Sequence, residues 1–405
     1  MTIRMPAFSR LSDEQRDILE EVPLRGAILV TGPPGTGKTV IAMYRAKALA
    51  LARTESGTVT MITHSRVLAD HSQTWDDPGF QAVKIQTYHR WAAGFWKSIG
   101  GRGWAPKRPR ASSSYDLDWS EITRQAHSNG RPPKVGSIVV DEGQDLPVEF
   151  YQHLSAYLQL GWASSLSVFA DENQRLQEQQ NSSIIQIRDA IALTNVPVER
   201  QLTLNYRNTL PIARVAREFY VGLATGQPEL PIDRHGQKPE FLRMCTPEAM
   251  VGRIAIHAIN DPSRSLLVIC GTQHAASVLR ARIDAELVRR GHRRTVTWYK
   301  REHPEHGDPA KLRPGEQGVI AVVHTSSMKG LEADSVFVPG VELLDGCAAG
   351  SDIECMKLYV MTSRARSHLE LHWSSAANQT VKLIVGRTRL YLSDESKSGL
   401  TTGGL

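Results

Sequence analysis

The segment Gly32-Pro33-Pro34-Gly35-Thr36-Gly37-Lys38-Thr39 follows the apolar run Ala27–Val30 and precedes a helical pattern over residues 40–52. Glycines suit such a loop because its backbone amides can turn toward a bound anion, where a Cβ atom would obstruct the approach. Lys38 can then neutralise the β- and γ-phosphates of a nucleotide, while the Thr39 hydroxyl ligates Mg²⁺. The dipole of the following helix favours the same anion. The pattern predicts a strand, a phosphate-binding loop and a helix, and it disfavours a glycine turn without a ligand.

A second apolar run, Ile138–Val140, ends in Asp141-Glu142-Gly143-Gln144-Asp145. Open α/β sheets bind ligands at the carboxyl ends of their strands, which is where Asp141 falls. Its carboxylate would hold Mg²⁺, directly or through water, and Glu142 would be the base or orienter for an attacking water. An Asp-Glu pair alone is more often a solvated strand end. Paired with the glycine loop, it indicates a nucleotide hydrolase.

Short β-branched runs alternate with longer helical patterns, which favours parallel sheets covered by helices on both faces. The break between two such series falls near residues 200–204, so we expect two doubly wound α/β domains, 1–203 and 204–392. The first would carry a short insertion at about 91–135, and the Gly/Ser/Thr-rich residues 393–405 would form a flexible tail. The predicted strands are Ala27–Val30, Thr58–Ile62, Val83–Ile85, Ser137–Val140, Ser165–Phe169, Ser265–Ile269, Gly318–Val323 and Ser335–Pro339.

The 405-residue composition, with 41% hydrophobic and 22% charged residues, is that of a soluble globular protein. No apolar run approaches the ~18 residues that a membrane span needs, and the N-terminal residues lack the apolar stretch of a secretory signal. Cys245, Cys270, Cys347 and Cys355 have no metal-type spacing, so they are expected to be thiols in a reducing cytoplasm. A net charge of +6 is compatible with a polyanionic partner but too small to prove one.

The form Asp-Glu-x-Gln-Asp points to a known family. The sequence is similar to the superfamily 1 helicases of the UvrD/Rep type, and the resemblance runs in order along nearly the whole chain. Beyond the two segments above, the matching blocks are Gln15, Ile62-Thr63-His64, Thr87-Tyr88-His89, Asp171-Glu172-Asn173-Gln174, Asn205-Tyr206-Arg207, His324 through Lys329-Gly330-Leu331-Glu332, and Tyr359-Val360-Met361-Thr362-Ser363-Arg364-Ala365.

The resemblance implies two RecA-like domains that form a cleft for ATP and Mg²⁺. Residues implied to contact the nucleotide are Gln15 at the adenine, Gly32, Pro33, Pro34, Gly35, Thr36, Gly37, Lys38 and Thr39 at the phosphates, Tyr206 at the base and Glu332 at the ribose. The implied catalytic residues are Lys38, Glu142, Gln174, Arg207 and the arginine finger Arg364, and the implied metal ligands are Thr39 and Asp141. The implied nucleic-acid contacts are Thr63, His64, Tyr88, His89, His324 and Thr325.

Two departures from the family bear on activity. The first insertion is short, and the second is replaced by the charged segment near 299–317, so the chain is close to a bare two-domain motor. The segment after Gln174, Arg175–Gln180, lacks the usual base-stacking aromatic residue, which would weaken the grip on a strand by ~1–3 kcal/mol per base. ATP hydrolysis is therefore better supported than translocation, and translocation better than unwinding.

These observations leave two functional hypotheses. The first is an ATP-dependent DNA helicase or single-stranded DNA translocase of 3′-to-5′ polarity, acting with a protein partner such as a nuclease or effector subunit in defence or repair. The second is a nucleotide-dependent regulatory ATPase subunit that controls an effector without unwinding. RNA remains an alternative to DNA as the polymer, and no membrane partner is expected.

Basic and aromatic residues offer further candidate contacts. Trp91, Phe95 and Trp96 have helical spacing and are expected in the core, whereas the role of Trp104 stays open. The basic run Arg289–Arg294, with Lys300 and Arg301, fits either a solvated face or a nucleic-acid contact.

Overall fold

The computed structural model describes residues 7–52, 58–63, 78–109, 116–128, 135–159, 163–172, 182–192, 198–223, 225–299, 309–344, 351–374, 378–394 and 396. Contacts divide the chain into two compact units. The N-terminal unit comprises Arg4–Thr203 and Leu223–Gly226, and the C-terminal unit comprises Leu204–Gly222 and Gln227–Leu405 together with Met1–Ile3.

The N-terminal unit contains a six-stranded sheet in the order β3-β2-β4-β5-β1-β6, and every neighbouring pair is parallel. Its strands are β1 (Gly26–Thr31), β2 (Val59–Thr63), β3 (Val83–Thr87), β4 (Gly136–Val140), β5 (Ala163–Ala170) and β6 (Val198–Gln201). Its helices are α1 (Asp13–Glu20), α2 (Lys38–Leu51), α3 (Pro78–Gln81), α4 (Tyr88–Ser98), α5 (Trp119–Ser128), α6 (Val148–Gln159) and α7 (Ile184–Ile191).

The core of the N-terminal unit lies between this sheet and its helices. Strands β2 and β4 are buried along their whole length, as expected of parallel strands covered on both faces. Beside the sheet, α4, α5 and α6 contribute a cluster of aromatic rings, in which Trp91 stacks on Phe95 with a centroid distance of 5.1 Å. Trp91 and Phe95 are buried and Trp96 packs against the cluster, so the prediction that these residues belong to the core is confirmed.

The C-terminal unit repeats the architecture with a parallel six-stranded sheet in the order β7-β12-β11-β8-β10-β9. Its strands are β7 (Glu240–Arg243), β8 (Leu266–Cys270), β9 (Thr295–Trp298), β10 (Val319–His324), β11 (Ala333–Val338) and β12 (Ala365–Trp373). Its helices are α8 (Leu210–Arg217), α9 (Pro247–Asn260), α10 (Gln273–Arg289), α11 (Asp352–Thr362) and α12 (Gln379–Thr388).

The predicted α/β class with two parallel sheets is therefore confirmed, and each predicted strand overlaps an observed one. Residues 393–405 were predicted to form a flexible tail, and the structure describes Ser393, Asp394 and Ser396 among them. Ser393 donates its amide to the Pro239 carbonyl, and the Phe241 amide donates to Ser396 Oγ, so both serines pack beside β7. Across the described part of the chain, none of the helices has the length and apolar character that a bilayer crossing requires.

Candidate nucleotide site

The glycine loop joins β1 to α2 and is built on glycine conformations. Gly35 and Gly37 have φ angles of +87° and +88°, in the left-handed region that L side chains rarely adopt. A Cβ atom on Gly32 would lie 2.8 Å from Thr36 Oγ1 and 2.9 Å from the Leu202 carbonyl oxygen. The loop therefore needs these glycines both for its turns and for its close contact with the chain that follows β6.

Lys38 lies inside the curve of this loop and is buried. Its ammonium donates to the carbonyl oxygens of Gly32 at 2.6 Å and Pro33 at 3.0 Å. The same nitrogen lies 3.6 Å from the Asp171 carboxylate, at the end of the neighbouring strand β5. A phosphate entering the loop would compete with these oxygens for a cation that is already positioned.

The metal-ligand candidates Thr39 and Asp141 meet directly. Thr39 Oγ1 donates to Asp141 Oδ2 at 3.0 Å, although the two residues are 102 positions apart in the chain. The other oxygen, Asp141 Oδ1, is buried and accepts no hydrogen bond from the described residues. Burial foremost, and the adjacent Glu142 carboxylate second, raise the pKa of Asp141 to about 7, against the opposing effects of Thr39 and Lys38. A hydroxyl beside a carboxylate with an unsatisfied buried oxygen is a hard-oxygen donor set that fits Mg²⁺.

Glu142 follows Asp141 in a left-handed backbone conformation, with φ of +56°, which is uncommon for a non-glycine residue. Its carboxylate accepts a hydrogen bond of 2.7 Å from Gln144 Nε2. Gln144 Oε1 in turn accepts a 2.8 Å bond from the amide of Asp171. Gln144 is fully buried, and the motif Asp-Glu-x-Gln-Asp alone indicated no role for it.

Gln15 reaches the loop from α1. Its side chain closes a capping box with Ser12 at the start of the helix, where Gln15 Oε1 accepts from the Ser12 amide at 3.2 Å. Its Nε2 donates to the Thr36 carbonyl oxygen at 2.9 Å. The residue predicted to read adenine is thus placed at the phosphate loop, with both ends of its amide already bonded to backbone groups.

The C-terminal unit gathers two of the family-like blocks around Asn208. Asn208 Nδ2 donates to the carbonyl oxygens of Ser363 at 3.1 Å and Ala365 at 2.5 Å, on either side of Arg364. Asn205 Oδ1 accepts from the amides of Arg207 and Asn208, which shapes the turn that carries Arg207. Asn208 therefore ties the Arg207 turn to the Arg364 turn, a role that was not predicted because the matching block Asn205-Tyr206-Arg207 ends one residue before it.

The charged side chains in this region are ion-paired or buried. Arg207 Nε lies 2.5 Å from Glu332 Oε2, and Arg366 pairs with the other carboxylate oxygen of Glu332. Burial opposes the charge on Glu332, but the two guanidinium groups outweigh it and hold the pKa of that carboxyl well below its usual range. Arg364 is buried, and its guanidinium donates to the Leu331 carbonyl oxygen at 3.5 Å. Tyr206 is 36% exposed.

The predicted nucleic-acid contacts have mixed surroundings. Thr63, at the end of β2, is fully buried, and His89, after β3, is exposed. The Tyr88 ring lies in the aromatic core rather than at the surface, where its hydroxyl oxygen accepts a 2.7 Å bond from Trp119 Nε1. His64 and Gln174 lie outside the described residues.

His324 and Thr325 follow β10. The His324 ring bonds to Ser326 Oγ at 2.7 Å and to the Gly271 carbonyl oxygen at 2.9 Å, and Thr325 is buried. Both ring nitrogens are therefore engaged within the turn that the sequence analysis assigned to a strand contact.

The candidate basic surfaces differ from each other. Arg289 and Arg290 both pair with Glu286, and Arg294 donates to carbonyl oxygens that include Ala258 and Gly318. These contacts favour the interpretation of a solvated face for the described part of this run; Lys300 and Arg301 lie outside it. Trp104, in contrast, is 89% exposed.

Another polar cluster, formed by His257, His368 and Glu370, has ligand atoms close enough to hold a metal ion. His368 bonds to Glu370 at 2.8 Å, and the Arg253 guanidinium lies 3.1 Å from the other oxygen of the same carboxylate. Because Arg253 already supplies the positive charge, this arrangement is a buried hydrogen-bond network beneath α9.

Residues 15–180 match a family model described as an AAA domain. That range contains the glycine loop, the Thr39–Asp141 contact and the Gln144 bridge. This part of the chain is therefore similar to an AAA domain. Among the curated proteins, none matches this sequence.

Solved structures similar to this chain include DUF1998 helicase MrfA bound to DNA, with 11% identity and a TM-score of 0.52. The match covers 94% of this chain and 51% of that chain, so this chain spans about half the length of that relative. The C-terminal domain of a possible DNA helicase from Lactobacillus plantarum WCFS1 is 22% identical, with a TM-score of 0.32, and the match covers 46% of this chain and 96% of that chain. The likeness to MrfA shows a shared fold.

Proposed function

We propose that this protein is a nucleic-acid-directed ATPase, working as a DNA helicase or as a single-stranded DNA translocase. The observation that carries the proposal is the 3.0 Å bond between Thr39 Oγ1 and Asp141 Oδ2. It joins the phosphate loop to the acidic strand end that hydrolysis needs. Glu142 follows at the same strand end, where it can orient a water for attack on the γ-phosphate.

Residues of the N-terminal unit would divide the work at the phosphates. Lys38 would neutralise charge on the β- and γ-phosphates, and Gly35 and Gly37 would let backbone amides face the phosphate oxygens. Thr39 and Asp141 would hold Mg²⁺, which supplies charge neutralisation at the phosphates when bound. Gln174 would sense the γ-phosphate, and Gln15 would read the adenine.

Arg207 and Arg364 would supply the remaining charge from the C-terminal unit. Arg207 pairs with Glu332, and Asn208 ties its turn to that of Arg364, so both arginines are held by one local network. We propose that both contact the γ-phosphate, while Tyr206 packs on the base and Glu332 meets the ribose. ATP would then bring the two units together, and hydrolysis would release them, because the charge-assisted contacts exist only while the triphosphate is intact.

The polymer is proposed to be single-stranded DNA, followed in the 3′-to-5′ direction, with a nuclease or effector subunit as partner. MrfA is a helicase whose structure has DNA bound, and this protein shares its fold. His89 is exposed, and His64, His324 and Thr325 occupy the positions where the resemblance puts strand contacts. RNA is the alternative polymer, and the cytoplasm is the proposed location.

The proposal is tested by measuring ATP turnover at low salt with single-stranded DNA, duplex DNA or RNA. We expect single-stranded DNA to accelerate turnover, and we expect Lys38→Ala and Glu142→Gln each to abolish it. Lys47→Ala, on the same helix α2, is the matched control, since its ammonium lies 5.4 Å from the centroid of the Phe80 ring of α3. Absence of stimulation by any nucleic acid would contradict the proposal.

The second candidate, a regulatory ATPase that controls an effector without unwinding, is favoured by Tyr88. The Tyr88 side chain, which was predicted to contact a nucleic-acid strand, is buried against Trp119. The first insertion is also short. This candidate predicts ATP turnover without strand displacement and a stable complex with an effector protein. Robust displacement of a duplex by the lone protein, with no partner recovered by affinity capture, would rule it out.

A further inference from the structure

A chain of contacts connects the water-orienting carboxylate to the phosphate-binding lysine. Glu142 Oε2 accepts from Gln144 Nε2 at 2.7 Å, and Gln144 Oε1 accepts from the Asp171 amide at 2.8 Å. The Asp171 carboxylate lies 3.6 Å from the Lys38 ammonium. All of these residues belong to the N-terminal unit.

We propose that Gln144 is a positioning residue that sets the Glu142 carboxylate and makes its position depend on whether Lys38 holds phosphate. The inference rests on the proposed ATPase function. In this proposal, Gln144 links the ends of two strands. Glu142 lies at the end of β4, and Asp171 lies at the end of β5.

Gln144 is suited to this role because its amide has a donor and an acceptor with fixed geometry. The side chain is fully buried, so neither bond is exchanged with bulk water. Its own backbone is also fixed, since the Gln144 carbonyl accepts the amide of Ser182. A rigid bridge of this kind transmits a displacement at one end to the other.

Asp171 is the end that responds to nucleotide. Its carboxylate is buried and lies 3.6 Å from the Lys38 ammonium, which attracts it electrostatically. The phosphates of ATP compete for the same ammonium and would weaken the Asp171–Lys38 attraction. A shift of the Asp171 backbone would then pull on Gln144 and re-aim Glu142.

Glu142 is the end that does the chemistry. Its φ of +56° is a conformation that surrounding contacts must maintain in a non-glycine residue. The bond from Gln144 Nε2 is a contact of that kind, and it fixes one oxygen of the Glu142 carboxylate. Removing the bond should therefore lower the rate of turnover more than the affinity for nucleotide.

Two substitutions separate the two bonds. Gln144→Leu removes both, whereas Gln144→Glu can still accept from the Asp171 amide but has no N–H to donate to Glu142. We expect each to lower kcat about tenfold or more, within the range that general-base positioning contributes, with affinity for Mg²⁺·AMP-PNP changed less than about threefold, a free-energy change below 1 kcal/mol. Hydrogen exchange at the Asp171 amide should rise in Gln144→Leu only.

Ser182→Ala is the structural control. Ser182 is buried beside the same turn and donates to the Leu146 carbonyl oxygen at 2.6 Å, but no contact described for it reaches Glu142 or Asp171. It should lower stability while leaving kcat within about twofold, because its bond lies outside the chain of contacts. An equal fall of kcat in Ser182→Ala, or an unchanged kcat in Gln144→Leu, would overturn the inference.

Hydrogen exchange with Mg²⁺·AMP-PNP distinguishes this inference from the proposed function. In the wild-type protein, AMP-PNP should change exchange both at Asp171 and in residues 141–146, and Gln144→Leu should abolish the second change. If the protein binds AMP-PNP but does not hydrolyse ATP, the proposed function is wrong. The exchange data would still show whether Gln144 links Asp171 to Glu142. Failure to bind AMP-PNP would overturn both.

Discussion

Single residues at the phosphate loop show how far chemistry constrains the sequence. The glycines, Lys38 and Thr39 were predicted as site residues from their order alone, because backbone amides and a short polar pair leave few alternatives. Gln144 and Asn208 were not, because an amide side chain becomes a bridge only when the fold brings two distant strand ends or turns within reach. The signal for Gln144 was present in Asp-Glu-x-Gln-Asp, but its partner Asp171 is 27 positions away.

Gly37→Ala tests the conformation of the loop. The substitution forces a side chain into φ of +88° and places its Cβ 2.6 Å from Gln15 Nε2. We expect a loss of roughly 1–2 kcal/mol from the backbone alone, and weaker binding of AMP-PNP, measured by thermal unfolding and by titration. Gly94→Ala is the control, since nothing lies within 4 Å of its added Cβ and helix α4 should gain up to about 1 kcal/mol. Equal shifts in both variants would contradict the argument.

His153 makes the N-terminal unit sensitive to acid. Burial foremost, assisted by His127, lowers the pKa of His153 to about 3, whereas an unfolded histidine titrates near pH ~6.5. Between these values the unfolded chain binds the extra proton, so stability should fall as pH decreases from 6.5 toward 3. Urea unfolding of His153→Phe should show a shallower decrease over pH 7 to 4.5. Identical pH profiles for variant and wild type would refute this assignment.

At the scale of elements, strands were predicted where the apolar pattern was continuous and missed where it was not. The missed strands are β6, β7, β9 and β12. Strand β6 reads Val-Glu-Arg-Gln and is largely exposed at the edge of its sheet, so no core contact marks it. Strand β12 is central, but its buried face carries His368, Glu370 and His372, whose polarity conceals the strand. Hydrogen bonds among these side chains offset the cost of burying them. These bonds cannot be predicted from the local sequence pattern.

The loop after α4 is held in place by hydrogen bonds on both sides of Trp104. Gly101 donates its amide to the Trp96 carbonyl, Trp96 Nε1 donates to the Arg102 carbonyl at 3.3 Å, and Asp118 donates to the Pro106 carbonyl. The loop is thus fixed on both sides of Trp104, which it holds in solvent.

Trp104→Ala should weaken binding of a single-stranded oligonucleotide if this ring stacks on a base. The expected loss is ~1–3 kcal/mol, measured by fluorescence anisotropy with oligo-dT, and Trp104→Phe should retain most of the affinity. Ile185→Ala is the control, because Ile185 is an exposed apolar residue of the same unit. Unchanged affinity in Trp104→Ala would show that the ring has another purpose.

At the scale of the whole molecule, the chain after Arg4 passes between the two units at 203/204, 222/223 and 226/227. The segment Leu223–Gly226 therefore belongs to the N-terminal unit although it follows α8. There the Glu172 amide donates to Thr225 Oγ1 at 2.7 Å, and Gln201 Nε2 donates to the Thr225 carbonyl at 2.9 Å. The assignment of Leu223–Gly226 to the N-terminal unit could not be predicted from hydrophobic periodicity, because four residues are too few to show a period.

Thr225→Val should destabilise the N-terminal unit, although Thr225 follows the main boundary at 203/204 in the sequence. The buried Glu172 amide would lose its acceptor, at a cost of about 1–3 kcal/mol, while the side-chain volume is nearly kept. Hydrogen exchange should increase at Glu172 and leave β8 and β10 unaffected, and Thr225→Ser should behave as wild type. Increased exchange confined to β8 and β10 would contradict the assignment of Thr225.

The return of Leu223–Gly226 also limits how this gene can recombine. A crossover placed at codon 203 would separate Glu172 from Thr225 and leave the Glu172 amide without this acceptor. A transferred N-terminal unit that kept Thr225 would have to carry helix α8 of the other unit with it. Split-protein reporters of this chain should therefore be divided at a site other than 203/204.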